Sequence, residues 1–466
     1  MSDNNADLMH RVSKIHFIGI GGAGMSGIAE VLCNQGYAIS GSDTALGSTT
    51  TRLRSIGATV FEGHHESNVA GVDVVVYSSA VDRSNVELEA ARKHRIPVVP
   101  RAEMLAELMR FRHGIAVAGT HGKTTTTSLT AAILAAAGLD PTFVVGGLVR
   151  SINAHAKLGH SKYIVVEADE SDASFLMLQP LMVVLTNVDA DHMETYEGDF
   201  AVLAAGFTEF LRRLPFYGVA CICIDDPHAR ALIPEIRARV VTFGMHPDAD
   251  VRAVDVSVRD GREHFRVQTK VGDLDGEISL NMSGEHNIRN ALGAIAVALE
   301  LGVEASAVQM ALAEFEGIAR RCQVYEHVEL GTNSITVVDD YGHHPTELAA
   351  VLKTIRRRWP GKRLVSIFQP HRFTRTRDLF DDFARVLSEV DVLLLLDVYG
   401  AGEEPIAGAD SRALARAIRA HGKVEPIYVE DAENARTTLE RVSENDDIVA
   451  VLGAGNVSRV AEELVA

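Results

Sequence analysis

The sequence is poor in the residues that mark extracellular, membrane-spanning or nucleic-acid-binding proteins. It has four cysteines and one tryptophan in 466 residues. So few thiols in so long a chain exclude a disulfide-rich secreted scaffold and fit a reducing, cytoplasmic compartment. A formal net charge of −18 argues against general affinity for nucleic acid or anionic membranes. No apolar run approaches the length of a membrane span, and residues 1–14 lack the apolar core of a signal peptide.

The order of predicted elements indicates an α/β protein of three domains. The length exceeds what one hydrophobic core supports, and 47% hydrophobic with 23% charged residues is ordinary globular composition. Strand-like and helix-like segments alternate, which predicts mainly parallel sheets covered by helices on both faces. We place the domains at residues 1–110, 111–317 and 318–466. The first and last are expected to be Rossmann-like, and the central one a P-loop ATPase-type parallel sheet with a small β insertion.

Two local patterns refine the central domain. Cys221 and Cys223 alternate along a predicted strand, residues 219–224, which favours core packing over metal binding. Farther along, Asp260 and Gly261 separate two strand-like segments and predict a tight hairpin turn.

A glycine-rich turn follows the apolar run 115–118 and precedes a helix-like stretch, 124–137. Glycines let backbone N–H groups approach an anion, and the helix N-terminus adds partial positive charge, so this order predicts a phosphate-binding loop. Lys123 is suited to the β- and γ-phosphates of a nucleotide, and the Thr124 hydroxyl to Mg²⁺. Because Val117 stands where the general motif has glycine, a ligand-free turn at the end of a buried strand is an alternative. The turn consists of Gly119, Thr120, His121, Gly122, Lys123, Thr124 and Thr125.

A second glycine-rich turn opens the chain. Gly19, Gly21 and Gly24 fit the pattern G-x-G-x-x-G between a predicted strand and a helix, and Asp43 ends the next strand-like region. Such glycines admit a diphosphate at the helix N-terminus, and the acid can meet a ribose. The diphosphate can belong to a dinucleotide or to a sugar nucleotide such as a UDP-sugar. Tight helix–strand packing with no ligand is the structural alternative.

Acidic and polar residues follow two predicted strands of the central domain. Glu167 ends one strand and begins the acid-rich run 167–172, while Asn187 ends the next strand and is followed by His192. Ligands of open α/β sheets bind beyond the carboxyl ends of the strands. Because Mg²⁺ prefers carboxylate and water oxygens, we predict that Thr124, Glu167 and His192 surround one or two ions. Acid-rich loops are usually solvated surface, but the position beside the phosphate loop favours a metal site.

Three further polar segments carry candidate binding residues. Asn287 and Asn290 are three positions apart, so they share one face of a predicted helix, where their amides can bind a base or ribose or merely cap the helix. In the third domain, residues 339–345 and 370–377 each follow a predicted strand. The second segment holds three arginines, whose planar forks suit a carboxylate or a phosphate, although surface arginines also serve solubility.

Together these segments resemble those of the Mur ligases, ATP-dependent enzymes that add amino acids to the peptidoglycan precursor. The resemblance covers nearly the whole chain. It is most similar to the branch of the family that adds L-alanine to UDP-N-acetylmuramate. The segments that carry the resemblance are the glycine-rich opening at 19–24, GTHGKTT at 119–125, EADESDASF at 167–175, NVDADHMETY at 187–196, GEHNIRN at 284–290, DDYGHHPTE at 339–347 and FQPHRFTRTRDL at 368–379.

By this resemblance, the three domains bind the UDP-sugar, ATP and the incoming amino acid in that order. The residues implied in UDP-sugar binding are Gly21, Gly22, Ala23, Gly24, Met25, Ser26, Asp43, His64, Ser78 and Ser79. Besides the loop at 119–125, those implied in ATP binding are His286, Asn287, Asn290, Arg321 and Asp339. The implied catalytic residues are Lys123, Glu167, His192 and Arg321, with His192 serving a second metal ion. The residues implied in amino-acid binding are Tyr341, His343, Arg372 and Arg375.

One departure from the family pattern concerns the second metal ion. Several relatives carry a carbamylated lysine after the N-x-x-x-D-H segment, and it helps to hold that ion. Residues 204–207 of this chain offer no lysine. The alanine-adding branch is similar in lacking it, which supports the assignment to that branch.

The resemblance implies ligation of L-alanine to the lactyl carboxylate of UDP-N-acetylmuramate through an acyl phosphate, with ATP and Mg²⁺ as cofactors. This reaction belongs to peptidoglycan precursor synthesis and hence to cell wall biogenesis, cell shape and cell division. Expected partners are the small molecules alone, without nucleic acid or membrane insertion, and the expected form is a cytoplasmic monomer or homodimer.

Three different functions stay open at this point. The nearest is a recycling ligase that attaches a preformed tripeptide to the same sugar nucleotide. An NAD-dependent dehydrogenase would suit Gly19–Gly24 and Asp43 but leaves Lys123, Glu167 and His192 without roles. A non-catalytic nucleotide switch would use the phosphate loop alone.

Overall fold

The computed structural model describes Met9, residues 11–78 and residues 80–466. Three separate β-sheets are each flanked by helices, which confirms the predicted α/β class with three domains. The boundaries placed at residues 110 and 317 stay predictions. In the described part of the chain, no helix combines the length and the apolar character that crossing a membrane requires.

The first sheet has five parallel strands in the order β3-β2-β1-β4-β5. The chain winds outward from β1 in one direction and then returns to β4, so the β1/β4 boundary is the switch point where ligands bind in such sheets. The strand before the glycine-rich turn ends at Ile18, because Gly19 turns the backbone with a φ of +79°. The elements are β1 Lys14–Ile18, α1 Ala23–Asn34, β2 Ala38–Asp43, α2 Ser48–Ser55, β3 Thr59–Glu62, β4 Val74–Tyr77, α3 Val86–Lys93, β5 Val98–Pro100 and α4 Arg101–Met109.

The central sheet has ten strands in the order β15-β14-β13-β12-β11-β10-β6-β9-β7-β8. Its middle is parallel, and β8 is an antiparallel edge. The elements are β6 His113–Ala118, α5 Lys123–Ala136, β7 Thr142–Val149, β8 Ala154–Lys157, β9 Tyr163–Glu167, β10 Met182–Leu185, α6 Phe200–Arg212, β11 Val219–Cys223, α7 Pro227–Ala231, β12 Arg239–Gly244, β13 Val251–Arg259, β14 Arg262–Thr269, β15 Glu277–Leu280, α8 Glu285–Glu300 and α9 Ala305–Glu314.

Both local predictions for this sheet are confirmed. Asp260 and Gly261 join β13 to β14 with φ values of 51° and 72°, the two positive values that a tight type I′ hairpin turn needs. Cys221 and Cys223 are 0% and 2% exposed, so both thiols pack in the core.

The third sheet has six strands in the order β16-β17-β21-β18-β19-β20. All pairs are parallel except the antiparallel edge pair of β16 and β17. The elements are β16 Gln323–Leu330, β17 Asn333–Asp340, α10 Pro345–Arg358, β18 Leu364–Phe368, α11 Phe373–Asp378, α12 Phe380–Leu387, β19 Val392–Leu396, α13 Ser411–His421, β20 Ile427–Val429, α14 Ala432–Val442, β21 Ile448–Leu452 and α15 Ser458–Val465.

The chain divides into two compact units. The first contains Met1–Val256, Phe265–Ser279 and Arg289–Glu316, and the second contains Ser257–His264, Leu280–Ile288 and Gly317–Ala466.

Within the first unit, helix α1 joins the first and central sheets. A Cβ added at Gly27 would lie 3.0 Å from Val144 Cγ1 and 3.4 Å from Ala156 Cβ, so glycine lets α1 lie close against β7 and β8. One apolar core therefore extends from Ile15 of the first sheet to Leu185 of the central sheet. Within the second unit, two apolar layers cover the two faces of the third sheet.

Candidate active site

The turn at residues 119–125 joins the end of β6 to the start of α5, as the sequence predicts. Gly119 and Gly122 have φ values of +128° and +81°, in the region that favours glycine. A Cβ on Gly119 would lie 2.1 Å from the Thr186 hydroxyl oxygen, and one on Gly122 would lie 2.3 Å from Oδ1 of Asn290. The loop backbone is thus packed too closely for side chains at these positions. Asn290, implied in ATP binding, lies directly against the loop.

The segment that follows β10 holds this loop in place. The backbone N–H of His121 donates to Oδ1 of Asn187 at 2.9 Å, and the His121 ring nitrogen Nε2 lies 2.9 Å from Oδ2 of Asp189. The backbone N–H of Asp189 donates to the Thr120 hydroxyl at 2.9 Å. Strands β6 and β10 are parallel neighbours, so the residues that follow them meet at one edge of the sheet, where ligands of such sheets bind.

Lys123, the first residue of α5, is oriented across the loop by three acceptors. Its ammonium donates to the carbonyl oxygens of Gly119 at 2.7 Å and Thr120 at 3.1 Å, and to Oε2 of Glu170 at 2.6 Å. Glu170 is 1% exposed. Burial raises the pKa of the Glu170 carboxyl to about 7, although the charge of Lys123 opposes that rise. Glu170 was not predicted as a site residue, because its only signal in the sequence is membership of the acid-rich run that begins at Glu167.

The three predicted metal ligands lie at the ends of elements of the central sheet. Thr124 is the second residue of α5 and is 8% exposed. Glu167 ends β9, and its Oε1 accepts a hydrogen bond from the backbone N–H of Gly146 at 2.7 Å. His192 has a φ of 54°, and its Nε2 lies 3.6 Å from Oδ2 of Asp191. A hydroxyl and a carboxylate are donors that suit Mg²⁺, and the imidazole suits a second divalent ion.

A cavity of about 260 Å³ connects the glycine turn of the first sheet with the acidic end of β9. On one side it is lined by the turn and the start of α1, including Gly22, and by Ser78 after β4. On the other side it is lined by Glu167 and Asp169. A ligand in this cavity would contact both the predicted diphosphate loop and a predicted metal ligand. Other lining residues are Ala23, Gly24, Met25, Arg101, Leu105, Val144, Val145 and Gly146.

The remaining residues implied in UDP-sugar binding have local partners. Oδ2 of Asp43 accepts a hydrogen bond from the backbone N–H of Gly21 at 2.8 Å, so this carboxylate supports the glycine turn. The Ser26 hydroxyl donates to the carbonyl oxygen of Ala23 within α1. Ser79 lies outside the described residues.

His64, also implied in UDP-sugar binding, belongs to a buried polar cluster around Glu87. The Nδ1 atom of His64 lies 2.9 Å from the Ser42 hydroxyl and 3.3 Å from Oε2 of Glu87. Glu87 also accepts hydrogen bonds from the hydroxyl of Ser42 and from Nδ2 of Asn68, and Nε2 of His16 lies 3.5 Å away. Burial raises the pKa of this carboxyl, but the contact with His16 and the hydrogen bonds from Ser42 and Asn68 outweigh burial and lower the pKa to about 2.

This lowered pKa makes Glu87 a pH-dependent source of stability. Its contribution is complete above its unfolded pKa of 4.5 and is lost as pH falls from 4.5 toward 2. We expect Glu87→Gln to reduce the free energy of unfolding at pH 7 by about 3 kcal/mol, and the difference from the parent to shrink below pH 4.5. Urea denaturation at pH 7 and pH 3 measures both values. Glu89→Gln, at an exposed position of the same helix, is the control, and a pH-independent deficit for Glu87→Gln would contradict the assignment.

In the second unit, residues implied in amino-acid binding form a chain of rings at the carboxyl ends of β17, β18 and β19. The rings of Tyr341 and His343 are 5.2 Å apart, and those of His343 and His371 are 5.7 Å apart. The ring of His371 stacks on Tyr399 at 5.6 Å, and Nη1 of Arg375 lies 3.3 Å from Nδ1 of His371. His371 and Tyr399 were missed from the sequence, although both follow strands, as ligand-binding residues of such sheets do.

Arg372 adopts a left-handed backbone conformation beside this cluster, with a φ of +71°. Its N–H donates to the carbonyl oxygen of Tyr399 at 2.8 Å, and Nη1 of its guanidinium lies 3.7 Å from Oε1 of Glu403. This backbone hydrogen bond connects the arginine-rich residues 370–377 to the residues that follow β19. The second unit therefore brings together all four residues implied in amino-acid binding.

Four residues of the second unit are implied in ATP binding, and each has its own local contacts. Arg321 lies over the ring of Tyr341 at 5.1 Å. Burial raises the pKa of the Asp339 carboxyl to about 6, against the charge of Arg320. Asn287 donates from Nδ2 to the carbonyl oxygen of Ser283 at 2.8 Å, so its amide closes the start of α8. His286 lies so near Gly284 that a Cβ there would be 2.5 Å from the ring.

Comparison with known proteins gives matches along the whole chain. Residues 14–113 match the catalytic domain of the Mur ligase family, residues 117–298 the Mur ligase middle domain, and residues 320–455 the glutamate ligase domain of Mur ligases.

Individual relatives match nearly end to end. A UDP-N-acetylmuramate–L-alanine ligase of Methylococcus capsulatus is 56% identical over 456 residues, covering 98% of this chain and 96% of that protein. The crystal structure of a UDP-N-acetylmuramate–alanine ligase from Thermotoga maritima superposes with a TM-score of 0.81 at 29% identity, over 97% of this chain and 98% of that one. A murein peptide ligase from Psychrobacter arcticus superposes less well, with a TM-score of 0.71 at 25% identity over the same shares.

Proposed function

The chain belongs to the Mur ligase family, and on that premise we propose that it catalyses the ATP-dependent ligation of L-alanine to UDP-N-acetylmuramate. The product is UDP-N-acetylmuramoyl-L-alanine, a precursor of peptidoglycan. The observation that carries the proposal from the site itself is the 260 Å³ cavity. It is lined both by the glycine turn suited to a diphosphate and by Glu167, so a sugar nucleotide bound there would extend toward the phosphate loop.

ATP is the nucleotide that the loop at 119–125 is suited to bind. The glycines expose backbone N–H groups, and Lys123 offers a positive charge to the terminal phosphates. Thr124, Glu167 and His192 would hold Mg²⁺, which supplies charge neutralisation for the phosphates. When the phosphates arrive, the Lys123 ammonium exchanges its contact with Glu170 for the nucleotide, and the raised pKa of Glu170 lets that carboxyl take up a proton.

The reaction proceeds through two displacements. An oxygen of the lactyl carboxylate attacks the γ-phosphorus of ATP, the bond to the β–γ bridging oxygen breaks, and ADP leaves. The amine of L-alanine then attacks the carbonyl carbon of the acyl phosphate, loses a proton, and expels inorganic phosphate. The chain's own part is positioning and electrostatic stabilisation by the loop, Lys123 and nearby cations.

The ring cluster of the second unit is suited to the amino acid. Arg372 and Arg375 offer guanidinium groups to its carboxylate, and the rings of Tyr341, His343 and His371 lie next to one another beside them. L-alanine needs only a shallow apolar contact, so glycine and L-serine should react at rates reduced within about 10- to 200-fold.

Release of phosphate tests the proposed reaction. We expect stoichiometric ADP, phosphate and UDP-N-acetylmuramoyl-L-alanine when ATP, UDP-N-acetylmuramate and L-alanine are all present. Omission of either acceptor substrate should abolish release, and a preformed tripeptide, L-Ala-γ-D-Glu-meso-diaminopimelate, should not replace L-alanine. A faster reaction with the tripeptide would favour a recycling ligase. The higher similarity to alanine ligases argues against a recycling ligase.

The family match argues against a dehydrogenase and against a nucleotide switch. Each of these functions would also leave residues of the candidate site without a role. A dehydrogenase would leave the loop with Lys123 unused, and reduction of NAD by the protein would be the observation in its favour. A nucleotide switch would hydrolyse ATP without either acceptor. We place the reaction in the cytoplasm, where ATP and nucleotide sugars are available.

A further inference from the structure

Arg101 is a cation that neither the sequence motifs nor the proposed reaction uses. It is the first residue of α4 and follows β5 directly, at the carboxyl edge of the first sheet. Its side chain is 19% exposed and lines the 260 Å³ cavity. Among the described residues, its ion-pair partner is Asp169, with Nη2 and Oδ2 3.4 Å apart. This long contact leaves most of the guanidinium's donors available to a ligand in the cavity.

The close packing of Arg101 against α1 explains why the third glycine of the opening motif, Gly24, has no side chain. A Cβ on Gly24 would lie 3.1 Å from Nη1 and 3.2 Å from Cδ of Arg101. Glycine at this position therefore makes room for the arginine beside the N-terminus of α1. The guanidinium is held next to the turn predicted to bind the diphosphate, on the side that faces β9.

Arg101 and Lys123 contact neighbouring residues of one segment. Nη2 of Arg101 lies 3.4 Å from Oδ2 of Asp169, and the Lys123 ammonium donates to Oε2 of Glu170 at 2.6 Å. This segment follows Glu167 at the end of β9. An anion bound to Arg101 in the cavity would therefore lie beside the same segment that contacts the lysine suited to the terminal phosphate.

We propose that Arg101 binds the lactyl carboxylate of UDP-N-acetylmuramate and directs it toward the terminal phosphate of ATP. This inference rests on the proposed function and adds to it the residue that recognises the reacting acid. The planar guanidinium can hold one carboxylate oxygen through its N–H groups while the other oxygen faces the phosphorus. In the absence of substrate, Asp169 occupies part of this fork, and the substrate carboxylate replaces it.

The test compares two sugar nucleotides that differ in the lactyl group. UDP-N-acetylglucosamine shares the diphosphate, sugar and base of UDP-N-acetylmuramate but lacks the carboxylate. Calorimetry on the full chain should show Arg101→Met weakening the binding of UDP-N-acetylmuramate by about 10- to 100-fold. Binding of UDP-N-acetylglucosamine should change less than about threefold, which also reports that the variant is folded. Arg101→Lys, which keeps the charge but loses the fork, should fall between the parent and Arg101→Met.

The matched control is Arg110→Met, at the other end of α4 and about 13 Å away along the helix. Arg110 pairs with Glu107 on the surface, so this variant should bind both nucleotides as the parent does. Equal weakening of both nucleotides by Arg101→Met would assign the arginine to the diphosphate and overturn the proposal, as would no weakening of either. If Arg101→Met does not fold, the test uses Arg101→Lys alone. The proposal would then be overturned if Arg101→Lys kept the parent's preference for UDP-N-acetylmuramate over UDP-N-acetylglucosamine.

Two outcomes distinguish an error in the role of Arg101 from an error in the proposed function. If the parent releases phosphate only with UDP-N-acetylmuramate and L-alanine present, while Arg101→Met keeps the preference for the carboxylate-bearing nucleotide, only the role of Arg101 is wrong. If the parent shows no such reaction, the proposed function is wrong and the role of Arg101 falls with it.

Discussion

Lys123→Ala is expected to lower turnover by about 10³-fold or more, because it removes the cation that faces the charge developing on the transferred phosphoryl group. The fold should persist. The ammonium pairs with Glu170 at 2.6 Å, and its loss leaves a buried carboxyl whose pKa is already about 7. That carboxyl can take up a proton near neutral pH, so the variant avoids an unpaired buried charge.

Coupled ADP-release kinetics and a thermal unfolding curve measure the two parts of this prediction. Lys157→Ala is the matched control, since Lys157 is 47% exposed and forms a surface pair with Asp140. The control should retain parental turnover. Near-parental turnover in Lys123→Ala would count decisively against the loop as the phosphoryl-transfer site.

Gly119→Ala is expected to reduce the free energy of unfolding by about 4 kcal/mol or more and to abolish turnover. Alanine is strained at a φ of +128°, and its Cβ would lie 2.1 Å from the Thr186 hydroxyl oxygen and 2.9 Å from the carbonyl oxygen of Asn187. Both neighbours belong to the segment that holds the phosphate loop, so neither can move without moving the loop.

Gly138→Ala separates backbone strain from the collision. Gly138 also has a positive φ, +74°, but nothing lies within 4 Å of its added Cβ. Gly138→Ala should reduce the free energy of unfolding by only about 1 kcal/mol, from backbone strain alone, and should keep the parental activity. Urea denaturation and ADP release compare the two variants. Similar losses in both would show that strain, not the packing of the loop, makes glycine necessary at position 119.

The sequence predicted the features that depend on local order. A strand, a glycine turn and a helix in succession predict a phosphate-binding loop, and both such turns lie where expected. The short apolar runs Tyr163–Glu167, Leu364–Phe368, Val392–Leu396 and Ile448–Leu452 each form one strand of a mainly parallel sheet, because short β-branched or apolar runs in such sheets are distinctive. The carboxyl ends of these strands place Glu167 and the arginine-rich residues 370–377 at the sheet edges where ligands bind.

Residues that act through distant contacts could not be predicted in this way. Glu170 meets Lys123 across 47 positions, and Arg101 meets Asp169 across 68 positions. No local pattern distinguishes Glu170 from the other carboxylates of its run, or Arg101 from other arginines at helix starts. The pairing of β6 with β9 brings Lys123 to Glu170, and the packing of α4 against the segment that follows β9 brings Arg101 to Asp169.

The most direct test of the account follows the oxygen atoms of the lactyl carboxylate. If that carboxylate attacks the γ-phosphorus of ATP, UDP-N-acetylmuramate labelled with oxygen-18 in its carboxylate should transfer one labelled oxygen to each inorganic phosphate released with L-alanine present. Mass spectrometry of the phosphate measures this transfer. Phosphate free of the label, formed together with UDP-N-acetylmuramoyl-L-alanine, would contradict the meeting of the two substrates at the end of β9.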